Sequence, residues 1–161
     1  MVIGTALDWG NVATMWIRAL RIYLGSVALA SLVWETLHLP LYTIWESGTP
    51  RSQAFAVVHC TLGDVMIALG ALALALFIAG DGAWPQTRFQ DVAVLTVLFG
   101  VAYTIFSEWL NVVVRGSWAY SGMMPVVTLL GLRIGLSPLA QWLVIPAVSL
   151  VLARRLSRPS A

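Results

Sequence analysis

The chain is expected to fold as an all-α, polytopic membrane helix bundle of four transmembrane helices, with a short interfacial or re-entrant segment before the last. Three observations carry this expectation. Sixty per cent of the 161 residues are hydrophobic and only 10% are charged, whereas a soluble domain carries about 25% charge. Mean hydropathy is +0.87. Four apolar runs are each long enough to cross about 30 Å of hydrocarbon, and the stretches between them are short and punctuated by Gly and Pro. Such a chain cannot cover a water-facing surface. That excludes a soluble enzyme, an intrinsically disordered segment and nucleic-acid binding as a main role. The length bounds the chain to a single integral membrane domain. Nine arginines, no lysine and seven acids give a net charge of +2, and the arginines flank the apolar runs instead of forming a phosphate-binding patch. A lone Cys60 excludes an intrachain disulfide and a CxxC motif.

Taken in order, residues 10–21 read as a short interfacial helix ending in Arg18 and Arg21. The first three crossings are Ile22–Trp45, Gln53–Gly80 and Asp91–Val114, and Ile134–Ala153 makes the fourth. Pro40 removes a backbone donor and should kink or end the first helix. Before the last crossing lies Ser117–Leu132, apolar but broken by Gly122 and Pro125. It lies on the surface, re-enters, or begins the fourth helix; counted as a crossing, it would make five. Gly131-x-x-x-Gly135 has the spacing of a close helix approach, while Pro138 and Pro146 predict irregularity in the last helix.

With four crossings, Arg18, Arg21, Arg88, Arg154, Arg155 and Arg158 share one side, and Arg51, Arg115 and Arg133 the other. The positive-inside rule then places both termini in the cytoplasm of a cell (inner) membrane protein.

Ionisable groups in a bilayer core cost about 2.5–3.5 kcal/mol each on insertion scales. Glu35, His38, His59, Asp64 and Glu108 nevertheless fall inside the predicted crossings. At a rise of 1.5 Å per residue they lie roughly 6–17 Å from one and the same surface, the non-cytoplasmic one by the arginine distribution. At 100° per residue, Ser31, Glu35, His38, Tyr42 and Trp45 make one polar–aromatic stripe, and Thr104, Ser107, Glu108, Asn111 and Arg115 another. His59 and Asp64 are about 140° apart, so they cannot both point at one partner helix. Ser137 and Gln141 mark a weaker polar face on the last helix.

Glu35, Asp64, Glu108, His38 and His59 are therefore the candidate catalytic residues, as proton donors and acceptors. Trp34, Tyr42, Tyr103, Phe106, Trp109, Asn111, Trp118, Tyr120, Gln141 and Trp142 are the candidate substrate-binding residues. Ring faces near acids can stabilise a cation, although aromatic belts at the interfaces account for Trp45, Trp84 and Trp118 without that assumption. Glu35-x-x-His38 has the spacing of carboxylate-bridged metal bundles, so Glu35, His38, His59 and Glu108 are also a candidate ligand set for a divalent metal. The bland reading of each of these groups is an interhelical hydrogen bond.

Trp34-Glu35 inside one crossing and Asp64 in the next resemble the Trp-Glu and later Asp of the integral-membrane terpene cyclases. The run from Glu108 to Pro125, with Trp118-Ala119-Tyr120 followed by Met124-Pro125, is similar to membrane segments of carotenoid hydratases and cyclases. The resemblance covers some fifteen residues, and those families have more crossings. It implies a lyase or isomerase of cyclase type acting on an isoprenoid-like substrate, with Glu35 and Asp64 as its catalytic acids.

Three functions compete on this reading. The first is a small membrane enzyme performing acid–base chemistry on a lipophilic small molecule that arrives from lipid. The second is a metal-binding membrane protein with a His/Glu/Asp site. The third is a transport or accessory subunit of a larger membrane complex. Membrane lipids are the expected surroundings, and a homo-oligomer or a larger assembly is the expected alternative to a monomer. Runs such as Ile67–Gly80 carry no polar path toward the cytoplasmic half, which weighs against transport by a single chain.

Overall fold

The structure, a computed structural model, describes residues 9–129 and 131–158. It is an all-α bundle of four long helices: α1 (Trp9–His38), α3 (Pro50–Ala79), α4 (Phe89–Glu108) and α5 (Leu136–Leu156), with a one-turn α2 (Ile44–Ser47) between the first two. Each of the four supplies most or all of a segment long and apolar enough to cross a membrane: Val12–Leu41, Pro50–Ala79, Phe89–Val114 and Leu136–Leu156. Helix α1 packs on α3 and α5, and α4 packs on the same two, so α1/α4 and α3/α5 are the diagonals of a square.

Local chemistry sets the helix ends. Pro40 cannot continue α1, and the chain leaves it through a 3-10 turn, Leu39–Leu41. Thr49 caps α3, its side chain accepting from the Ser52 amide at 3.2 Å, with Pro50 in the first turn where no donor is needed. Helix α4 runs into a π-helical turn, Trp109–Val114. Pro146 lies inside α5 without ending it; its ring is buried in the bundle.

Small residues let the helices approach closely. Ala19, Tyr23 and Val27 of α1 meet Ala68, Leu72 and Ala75 of α3 and Ile145, Leu150 and Ala153 of α5 in one buried cluster. A methyl group on Gly100 of α4 would overlap the indole of Trp142. The outer faces remain apolar: Phe77 is 89% exposed and Leu37 75%. That is the inverse of a water-soluble bundle.

Five sequence expectations need correcting. Among the described residues no separate interfacial helix precedes the first crossing; residues 10–21 belong to α1, which continues unbroken through Arg21 and Ile22. That first helix also stops at His38, not near Trp45, and places Glu35 and His38 in its last turn. Ser117–Leu132 is neither a fifth crossing nor part of α5. It winds back over the bundle end and enters an antiparallel hairpin, β1 (Val126–Leu129) with β2 (Leu132–Gly135), in register Val126↔Gly135 to Leu129↔Leu132. Gly131 therefore serves a turn at φ 82°, not a helix–helix contact. Finally, Trp84 is no interfacial belt residue. It is fully buried against Trp16, ring centroids 5.1 Å apart, in the α3–α4 connection.

Candidate functional site

The last turn of α1 puts Glu35 and His38 on one face, three residues apart. Glu35 Oε2 and His38 Nε2 are 3.0 Å apart, and both residues are buried. The other ring nitrogen, Nδ1, lies 3.0 Å from Ser137 Oγ in the first turn of α5. Trp34 donates its indole N–H to that same oxygen at 3.2 Å. One helical turn beyond Ser137, Gln141 donates from one nitrogen to two carboxylates, Glu35 Oε1 at 3.2 Å and Asp64 Oδ2 at 2.6 Å. Ser31 flanks the Asp64 carboxyl, one turn before Glu35. Cys60, one turn before Asp64, sits against Glu35. The result is one connected row, Trp34–Ser137–His38–Glu35–Gln141–Asp64, contributed by α1, α3 and α5.

A second pair adjoins it. Tyr120 donates its hydroxyl to Glu108 Oε2 and accepts the Gly135 amide at 2.9 Å. The buried Tyr42 ring stands between the two groups, 5.4 Å from His38 and 5.7 Å from Tyr120, centroid to centroid. Burial, reinforced by the neighbouring Glu108 carboxylate, raises both phenols above the usual tyrosine range and fixes them as hydrogen-bond donors.

The segment ahead of the hairpin holds this arrangement closed. Thr43 N–H donates to Ala119 O at 2.9 Å, Ser121 N–H to Leu41 O at 2.9 Å, and Ser121 Oγ to Pro40 O at 3.0 Å. Beneath the row, the crevice lined by Val27, Ser31, Ala68, Gln141, Trp142 and Ile145 has no room for a water molecule.

Of the residues expected to act together, the structure gathers Glu35, His38, Asp64, Glu108, Trp34, Tyr42, Tyr120 and Gln141. It leaves others apart. His59 is exposed and stacks on Phe55, 5.5 Å away, because α3 turns it away from the face that carries Asp64. Asn111 bonds back to Ser107 O at 2.9 Å, not to Glu108. Tyr103 and Phe106 of α4 and Trp109 of the π-helical turn form a ladder of T-shaped and tilted ring contacts on the outside of the bundle, with Tyr103 47% exposed, so they line no internal wall. Trp142 packs on Gly100 in the core. Trp118 lies close to Glu108, yet its buried indole N–H forms no hydrogen bond.

The metal set is also corrected. Among the described residues no three His, Cys, Asp or Glu side chains converge as ligands; His59 points away, Glu108 is taken by Tyr120, and the Gln141 amide stands between the two remaining carboxylates. Ser137 is the residue that sequence reasoning undervalued. Its signal was present, since Ser137 and Gln141 share a face four residues apart, but its partner His38 is 99 positions distant.

No protein-family model matches the chain, and the comparisons with curated proteins and with solved structures find no match either.

Proposed function

We propose that the chain is a small integral membrane enzyme that carries out acid–base chemistry on a lipophilic substrate at one end of its bundle. One observation carries the reading: a single amide, Gln141, bridges the carboxylates of Glu35 and Asp64 while His38 holds the far oxygen of Glu35. Among the described residues no arginine pairs with the acids of the row: His38 contacts Glu35, and the arginine pair is the distant Arg88–Asp91. Two carboxyl groups and an imidazole in such contact supply a proton donor and a proton acceptor in a dry environment. The apolar outer faces favour a substrate that arrives from the bilayer, and the segment from Trp118 to Met124 must lift to admit it. An isoprenoid-like molecule and lyase or isomerase chemistry remain the substrate and reaction favoured by the Trp34-Glu35 and Asp64 pattern. Arg18, Arg21, Arg88, Arg154 and Arg155 lie toward the opposite end from the acids, which supports cytoplasmic termini and a site in the outer leaflet of a cell membrane.

The test is a strain lacking the chain, complemented by wild type, Glu35→Gln or Asp64→Asn, with untargeted analysis of its membrane lipids and isoprenoids. Wild type restores the profile and both variants fail, although they accumulate as folded protein. Full restoration by both variants overturns the proposal.

A further inference from the structure

Ser137 stands at the outer end of the polar row. The side chain accepts the indole N–H of Trp34 and lies 3.0 Å from His38 Nδ1. Trp34 takes one acceptor position on Oγ, and in the His38 tautomer whose Nδ1 is unprotonated the hydroxyl donates to Nδ1. A neutral His38 with Nδ1 accepting carries its proton on Nε2, where Glu35 Oε2 receives it at 3.0 Å. This is the hydroxyl–imidazole–carboxylate relay that activates a serine, recognised by geometry and not by chain order. Burial grades along it: Glu35 and His38 are each 8% exposed, while Ser137 is only part-buried. Ser137 is not spent on capping its helix, since Gly135 occupies the N-cap. It is the second residue of a membrane-crossing helix, which puts it at the hydrocarbon boundary, where the carbonyls of lipid esters lie.

We infer that Ser137 is a nucleophile for acyl transfer from a carboxylic ester of a membrane lipid, with His38 as its general base and Glu35 as a positioning residue. The inference rests on the proposed enzyme reading for the site and its acid–base groups, and assigns it a lipid ester in place of the isoprenoid-like substrate suggested by the Trp34-Glu35 and Asp64 pattern. Oγ attacks the ester carbonyl carbon while its proton passes to Nδ1, and the carbonyl electron pair moves onto oxygen. Collapse of that intermediate breaks the bond to the alcohol, which leaves with the proton from His38. Water, or the hydroxyl of a second lipid, then attacks the acyl-serine and gives its proton to His38. The acid or new ester departs, and Ser137 recovers its proton. The first-turn amide of Ser137, which has no intrahelical acceptor, is available as a donor to the developing oxyanion.

The experiment treats membranes containing the full chain with a long-chain alkyl fluorophosphonate and reads the adduct by intact and peptide mass. One adduct on Ser137 is expected, absent in Ser137→Ala. Labelling slows about 10²–10⁴-fold in His38→Gln, and Glu35→Gln alters the pH profile of labelling. An unlabelled wild-type protein, or an adduct at another residue, overturns the inference; the wild-type result decides even if Ser137→Ala fails to fold. The lipid-profile assay keeps the two readings separate. Ser137→Ala with full restoration, while Glu35→Gln and Asp64→Asn fail, rejects the nucleophile and leaves the acid–base site standing. Full restoration by Glu35→Gln and Asp64→Asn rejects the acid–base site itself.

Discussion

Gln141 Nε2 lies 2.6 Å from Asp64 Oδ2, although the two residues are 77 positions apart and sit on helices that face each other across a diagonal of the bundle. The same nitrogen reaches Glu35, so three helices are tied at one amide. Replacing it with Leu removes the donor that the two buried carboxyl groups share, leaving only His38 on Glu35 and Ser31 beside Asp64. We expect Gln141→Leu to cost about 1–3 kcal/mol, read as a lowered Tm in detergent. An Asp64→Asn/Gln141→Leu double-mutant cycle would show non-additivity; strictly additive losses would mean that the bridge is not formed.

Gly100 offers a contrast in which packing alone is at stake. Its missing side chain makes room for the Trp142 ring. Gly100→Ala is expected to destabilise by about 1–3 kcal/mol through overpacking, and the smaller ring in Gly100→Ala/Trp142→Phe should recover part of the loss. An unchanged Tm in the single variant would show that the helices separate freely there.

Tyr120→Phe removes the donor to Glu108 and the acceptor for the Gly135 amide together. Faster hydrogen exchange across residues 117–135 is the expected result, together with a loss of about 1–3 kcal/mol. Exchange at the wild-type rate would mean that the segment is held by its backbone bonds alone.

The two histidines should behave oppositely. His59 is exposed and stacked on Phe55, so His59→Ala should stay within about 0.5 kcal/mol of wild type and complement fully. His38→Ala should fail to complement. A chelator should leave the Tm unchanged, because no three ligands converge among the described residues. A chelator-dependent drop would restore the metal reading.

Much of this was legible in the sequence, for identifiable reasons. Span length and hydropathy reveal the long helices directly, and the reversal of direction at each connection brings Glu35, Asp64 and Glu108 to one end without knowledge of packing. Facing angles also gave the separation of His59 from Asp64. The hairpin was not legible: residues 126–135 are as apolar as a helix of the same length, and hydropathy does not distinguish an end-capping strand pair from a surface-lying helix. The aromatic residues of α4 misled because an outward stripe of Tyr103, Phe106 and Trp109 has the same spacing as an inward one. Ser137 was marked only as part of a weak polar face, because its chemistry depends on where the hairpin delivers the start of α5.

Trp84 carries a practical consequence for anyone handling this protein. Its indole is enclosed against Trp16, and Trp16 Nε1 donates to Gly82 O at 2.9 Å, so the α3–α4 connection is stitched to α1 and does not swing free. Epitope tags or reporter fusions inserted beside Trp84 would prise out this plug and report on a damaged fold.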